Sequence, residues 1–413
     1  MKPTAIFTGY IQKSSMVVTI SDVETVAVIG SGQMGRGIGA VAALAGYDVF
    51  LNDIDESQLE EARENIEWSY RKAVENDAAT EDETEAALNR TIYTTDIEKA
   101  VSDAEFVTEA AVEQQSVKQD IFEDVNEYAP EDAILATNTS GLNITKLAES
   151  TDDPSRVVGT HWFNPPMLMD LVEVIMTEHT PESIADTAEA LVESFGKTPI
   201  RCRIDIPSFI VNRLMRPYGE GPAWMVYRGE HTIREIDSAM KYVEGFPMGP
   251  FELADFTGGI QIRVEGEQDH LKDDRPLAYD TGVCPILHQL YHKSRYGRKT
   301  DAGYYDYSDR EDPDIPVDAG QGFDTLLVWA PIVNEAAKMV QHDIASVEDI
   351  DTGARLGGNW PIGPLKKCDE VGADAILKRL TEVASRHERT TKLAETLPCD
   401  LLVEKAKSNE TFY

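Results

Sequence analysis

The stretch ETVAVIGSGQMGRGIGAVAALAGYDVFLNDID, residues 24–55, decides the architecture. Val26 to Ile29 form an unbroken apolar run, the pattern of a strand buried on both faces. Gly30, Gly32 and Gly35 then follow as G-x-G-x-x-G, helix-forming Ala and Leu lead to Gly46, and a second apolar run ends at Asp53. Strand, glycine turn, helix and strand make a βαβ unit. The glycines permit a tight turn, approach of backbone to a pyrophosphate and close helix packing, while the helix N-terminus at Gln33 and Met34 offers N–H groups to phosphate. Asp53 ends the second strand, where a carboxylate accepts from a ribose 2′-OH and repels a 2′-phosphate. The expected cofactor is NAD, held by Gly30, Gly32, Gln33, Met34, Gly35 and Asp53.

Working outward, strands and helices keep alternating. A long acidic helix is predicted over 56–76, strands near 92–94 and 106–109, a helix over 115–128 and a strand over 134–137. This is a doubly wound, mostly parallel α/β sheet. Ligands of such sheets bind beyond the carboxyl ends of the strands, where TEAAVE (108–113) and TNTSGL (137–142) fall. On spacing alone Glu113 and Lys118 are either solvated charges or cofactor contacts, and Ser140 is either a helix cap or a substrate contact.

The segment GTHWFNPPMLMDLVEVI (159–175) carries two polar groups inside β-branched runs. Its strands are joined by NPPMLM, too short for a crossover helix, so they must pair antiparallel. The loop centre at about residue 167 then puts His161 and Glu173 opposite or nearly opposite each other. A carboxylate facing one imidazole nitrogen orients the ring and leaves the other nitrogen to take a proton. The same pair also reads as a structural ion pair.

Composition narrows the class. With 74 acidic against 38 basic residues the net charge is −36, which opposes nucleic-acid binding. The acidic residues are spread along solvated helix faces, a pattern expected of a protein working in high salt, in particular that of a halophilic archaeon. No apolar window approaches a membrane span, and the opening segment has no secretory pattern, so a cytoplasmic protein without membrane partners is expected. Cys202, Cys284, Cys368 and Cys399 are far apart, with no C-x-x-C pair, and read as buried thiols rather than disulfides or metal ligands. Residues 1–22 read as an N-terminal arm, of which 1–15 are expected to carry no function, with Met16 a possible alternative start.

GSGQMGRGIG, NTSGL, HWFNPPMLMDLVEVI, PSFIVNRL and GFPMGPFELAD occur in that order. Together they closely resemble the L-3-hydroxyacyl-CoA dehydrogenases, over nearly everything from about Thr25 onward. The resemblance implies a Rossmann-type domain followed by helical domains of the 6-phosphogluconate dehydrogenase C-terminal type, and NAD-dependent oxidation of a 3-hydroxyacyl-CoA to the 3-ketoacyl-CoA. It implies His161 as general base, Glu173 as its orienting partner, Ser140 as a hydrogen-bond partner of the substrate oxygen, and Asn212 completing the site. It places Ser140, Glu113, Lys118 and Lys299 near NAD, and Ser69 near CoA. Gly141 stands where relatives commonly have a second serine, and Asn76 where a lysine often stands.

The chain after Pro207 repeats itself. EIDSAMKYVEGFPMGPFELADFTG (235–258) matches DIDTGARLGGNWPIGPLKKCDEVG (349–372) without a gap, pairing Asp237 with Asp351 and Asp255 with Asp369. IVNRL around Asn212 is matched to IVNEA around Asn334. The expected domains are 23–206 for the cofactor, 207–310 for the first helical copy and 325–413 for the second. The second copy is expected to take the place of a partner subunit, giving an intrachain pseudo-dimer as monomer, with a homodimer as the other outcome. The rival functions are a gulonate-type hydroxyacid dehydrogenase and a non-catalytic NAD-binding structural protein.

Overall fold

The computed structural model describes residues 19–279, 282–309, 311–387 and 397–413. Most of the expected N-terminal arm lies outside these residues. The sheet has eight strands: β1 (Thr25–Ile29), β2 (Asp48–Asn52), β3 (Thr91–Thr94), β4 (Phe106–Glu109), β5 (Ile134–Thr137), β6 (Val157–Trp162), β7 (Leu171–Ile175) and β8 (Thr198–Cys202). Their spatial order is 3-2-1-4-5-6-7-8. β1 to β6 run parallel, β7 returns antiparallel to β6, and β8 runs parallel to β7. Each carboxyl end of β1, β2, β4 and β5 therefore opens on the same edge, on both sides of the point where strand order reverses at β1.

The helices of this part are α1 (Gln33–Ala45), α2 (Glu56–Glu75), α3 (Glu81–Asn89), α4 (Ile97–Val101), α5 (Gln115–Tyr128), α6 (Ile144–Ala148) and α7 (Glu182–Ser194). α2 starts where Asp55 accepts from the Ser57 amide at 2.9 Å, as an N-cap, and its range agrees with the helix expected over 56–76. The edge strand β8 had no counterpart in that reading. Its sequence, TPIRC, carries a proline that only an edge strand tolerates, and its short run gives a weak alternation signal.

From Val211 onward the described chain is helical: α8 (Val211–Tyr227), α9 (Ile233–Ser238), α10 (Pro250–Thr257), α11 (Gly259–His270), α12 (Pro285–Tyr291), α13 (Leu326–Gln341), α14 (Val347–Leu356), α15 (Pro364–Val371), α16 (Ala373–His387) and α17 (Asp400–Ser408). α8 and α13 pack against each other, and α14 rests on β8. The buried pair Arg213–Glu335 (2.6 Å) crosses between α8 and α13. Tyr218, Phe246, Trp329 and Trp360 form an aromatic cluster between the two helical segments. One apolar cluster runs from a face of the sheet through both segments.

The two segments also share an internal frame. Asp237 accepts from the amides of Phe251 (2.9 Å) and Glu252 (3.0 Å) and from the Tyr305 hydroxyl. Asp351 accepts from Leu365 (2.9 Å), Lys366 (2.8 Å) and the Tyr413 hydroxyl. Asp255 and Asp369 each take two amides of the aromatic pairs that end the segments, Tyr304–Tyr305 and Phe412–Tyr413. The match of Asn212 to Asn334 is corrected by this frame. At the 114-residue offset of the repeat, α8 falls onto α13, so Leu326 stands opposite Asn212 and Asn334 opposite Glu220. Both members of the latter pair accept from the amide of a cysteine that opens a helix: Cys284 to Glu220 (3.2 Å), Cys399 to Asn334 (2.9 Å).

Candidate active site

The glycine turn fits a dinucleotide. A Cβ on Gly35 would lie 1.8 Å from the Gly30 carbonyl oxygen, so α1 can pack this closely on the turn only as glycine. Gly30 itself has φ +100°. Gly32 faces open space, and the N-terminus of α1 has no side-chain cap, which leaves the first-turn amides at Gln33 and Met34 to a phosphate. Asp53 follows β2 directly and accepts from the amide (2.9 Å) and hydroxyl (2.8 Å) of Ser31. Ser31, which the fingerprint treats as a spacer, thus ties Asp53 to the glycine turn.

β6 and β7 pair in the register that sets His161 directly against Glu173. Nδ1 of His161 bonds Oε2 of Glu173, and the other carboxylate oxygen accepts from the amides of Ile210 and Val211, both at 2.9 Å. Those amides open α8, so Glu173, which is fully buried, holds the imidazole and the helix carrying Asn212 together. The turn into α8 is strained: Ser208 and Phe209 have φ of 66° and 49°. Phe163 and Phe209 flank the imidazole at 4.6 and 5.8 Å.

Ser140 lies on the loop after β5. Its amide (2.8 Å) and hydroxyl (3.1 Å) donate to Glu113, and its carbonyl accepts from Asn212 at 3.4 Å. Thr139 also donates to Glu113, at 2.6 Å. A cleft of about 1260 Å³ opens here, lined among others by Glu113, Ser140, Phe163, Asn212, Met215 and Arg216. Lys118 is fully buried: its amine donates to both Glu109 oxygens and to the Asn138 carbonyl, and lies 3.8 Å from Glu113. Glu109 and Asn138, not singled out in the sequence, support the loop from below. The Lys299 amine donates to Gln261 of α11. Ser69 donates to the Asn65 carbonyl within its own helix at 2.8 Å.

Comparison with known proteins decides the family. The profile described as 3-hydroxyacyl-CoA dehydrogenase, NAD binding domain matches residues 25–206, and that of the C-terminal domain matches 209–307 and 322–411. The chain belongs to the 3-hydroxyacyl-CoA dehydrogenase family. A 3-hydroxybutyryl-CoA dehydrogenase of Bradyrhizobium diazoefficiens is 37% identical over 291 residues, 69% of this chain and 96% of that one. A 3-hydroxyadipyl-CoA dehydrogenase of Escherichia coli is 31% identical over 476 residues, 93% of this chain and 98% of its own. The crystal structure of an E. coli 3-hydroxybutyryl-CoA dehydrogenase superposes with a TM-score of 0.83 at 29% identity, covering 94% of this chain and all of that one. As in the family, the chemistry is NAD-dependent oxidation of a 3-hydroxyacyl-CoA to the 3-ketoacyl-CoA. No helix among the described residues is long and apolar enough to cross a membrane, and all four cysteines are buried.

Proposed function

We propose that His161 is the general base of this oxidation, with Glu173 as its orienting partner. The observation that supports this reading is the placement of Glu173, one oxygen on Nδ1 and the other on the two amides that open α8. With Nδ1 occupied, Nε2 of His161 takes the 3-hydroxyl proton, and the buried carboxylate stabilises the imidazolium that forms. NAD, when bound, would supply the acceptor for the hydride on the carbon that bears this hydroxyl. Asn212, joined to Ser140 through the Ser140 carbonyl, donates its second amide hydrogen to the substrate oxygen, and the Ser140 hydroxyl turns from Glu113 to do the same. Gly30 to Gly35 and Asp53 hold NAD. Glu113 and the buried Lys118 position the Ser140 loop at the nicotinamide end, Lys299 approaches the cofactor from the helical part, and Ser69 serves CoA from α2.

The two helical segments are read as copies of one domain, following the cofactor domain at 23–206. The paired aspartate frames support this, and so does the substitution of Leu326 at the position of Asn212, which leaves only the first copy with the site's asparagine. The second copy packs where a subunit would, making a pseudo-dimer within one chain, and its Gly357 and Gly358 close part of the cleft wall. The net charge of −36 supports work in concentrated salt in the cytoplasm of a halophilic archaeon. A second reading of the substrate, an acyl chain ending in a carboxylate, is favoured by the name of the E. coli relative spanning nearly the whole chain, a 3-hydroxyadipyl-CoA dehydrogenase. NADH oxidation with acetoacetyl-CoA, longer 3-ketoacyl-CoAs and 3-ketoadipyl-CoA across molar KCl tests both readings. No turnover with any of them would overturn the first, and indifference to the terminal carboxylate the second.

A further inference from the structure

The loop that carries Ser140 is secured almost wholly by side chains. The amides of Gly141 (3.3 Å) and Leu142 (3.0 Å) donate to the Thr139 hydroxyl, while the Ser140 amide and carbonyl go to Glu113 and Asn212. The two remaining carbonyls are taken by one residue. Arg275, more than 130 positions downstream on the segment between α11 and α12, donates Nη2 to the Gly141 carbonyl (2.7 Å) and Nη1 to the Leu142 carbonyl (3.0 Å). The same guanidinium binds Asp205 (2.7 Å), on the connection between β8 and α8, and Asp273 (2.6 Å). Asp205 in turn accepts from the Thr145 amide at the start of α6 (2.9 Å).

We infer that Arg275 is a positioning residue for the oxidation: it clasps the Ser140 loop to the first helical segment and fixes where the Ser140 hydroxyl stands relative to Asn212. This deepens the reading of Ser140 given above and rests on it. The glycine explains the need. Gly141 lacks a side chain to limit its conformations, and a Cβ there would meet nothing closer than the Ser208 amide at 3.9 Å, so packing does not fix this peptide. The two carbonyl bonds do. Arginine suits the task because its planar fork reaches two carbonyls and two carboxylates at once, which a lysine ammonium cannot do with the same geometry. Burial alone pushes the Asp205 carboxyl above its ordinary range, and Arg275 opposes that shift, so loop, hinge and helical segment are held through one ion pair.

The test uses the full chain. In Arg275→Lys the charge stays and the fork is lost; kcat for acetoacetyl-CoA reduction is expected to fall at least about tenfold, while NADH affinity by fluorescence stays within about twofold. In Arg275→Ala, guanidinium at tens of millimolar should restore part of kcat, and matched sodium chloride should not. The double variant Arg275→Met with Asp205→Asn removes the pair without stranding a buried carboxylate at Asp205, and should show the same loss of kcat in a folded protein. Wild-type kcat in folded Arg275→Lys, or in the double variant, would overturn the proposal. So would an Arg275→Ala deficit that guanidinium leaves unchanged. Ser140→Ala measured alongside separates the two layers: if it turns over like wild type, the reading of Ser140 fails, whatever Arg275 does.

Discussion

At the residue scale Glu173 joins two parts of the site, since it satisfies an imidazole and the two amides that open α8. His161→Gln keeps a side chain of similar reach and removes the base, so kcat should fall by about 10²- to 10⁴-fold. NADH binding should persist, because the glycine turn lies on β1 and α1; stopped-flow fluorescence and steady-state turnover separate the two, and equal losses would point to a structural histidine. Glu173→Gln keeps an oxygen for Ile210 and Val211 but withdraws the charge beside Nδ1. Turnover should drop and the pH–rate profile change shape, and an unaltered profile at normal rate would remove Glu173 from the mechanism. The His161–Glu173 pair was legible in the sequence because loop length and strand register are short-range arithmetic. The amide partners of Glu173 and the Arg275 clasp were not, because they join segments tens to more than a hundred residues apart, and no periodicity reports such contacts.

At the element scale the repeated aspartates act as caps placed from a neighbouring helix. Asp237 opens α10 by accepting its first amides, yet it is fully buried, and burial pushes its carboxyl up to about 7. Asp255, which holds Tyr304 and Tyr305, is pushed up to about 6. An unfolded aspartate titrates near 3.9, so between there and 7 the native state binds more protons than the unfolded one. Stability from these groups is therefore complete at low pH and lost as pH rises through about 6 to 7. In Asp237→Asn the decline of the thermal midpoint from pH 5 to pH 8 should be shallower than in wild type, read by circular dichroism at constant salt. An equal slope would mean that this carboxyl titrates normally in the fold. The likeness of 235–258 to 349–372 was legible from identities in register, but the counterpart of Asn334 was not. Two IVN strings looked alike, whereas helix ends and the shared cysteine caps align Asn334 with Glu220, which has no likeness in letters. A string match compares residues; the fold compares which amide each residue must satisfy.

At the scale of the whole molecule, charge and the second helical segment set how the chain behaves in solution. Glu56, Glu60, Glu64, Glu67, Glu81, Asp82 and Glu85 are exposed along α2 and α3, among few basic neighbours. Their mutual repulsion acts over about 10 Å at 0.1 M salt and about 3 Å at 1 M. Raising KCl from tenth-molar to molar should therefore raise the midpoint of thermal unfolding, and sodium chloride should do the same, since screening is not ion-specific. A flat response would show that the acidic surface is balanced by contacts other than screening. The same high-salt condition is the one in which association must be judged, because at low salt a net charge of −36 would drive copies apart whatever their surfaces. The face of α8 that carries Arg213 is covered by α13, with Glu335 paired across it and Trp329 and Trp360 packed against Phe246. A partner chain cannot use that face without displacing α13 and stranding the buried Arg213 charge. Sedimentation equilibrium in molar KCl should then give the mass of one chain, 45.8 kDa. Arg213→Glu sets a second carboxylate against the buried Glu335 and should lower the thermal midpoint of that single chain, whereas an unchanged midpoint would mean that α8 and α13 do not meet within it.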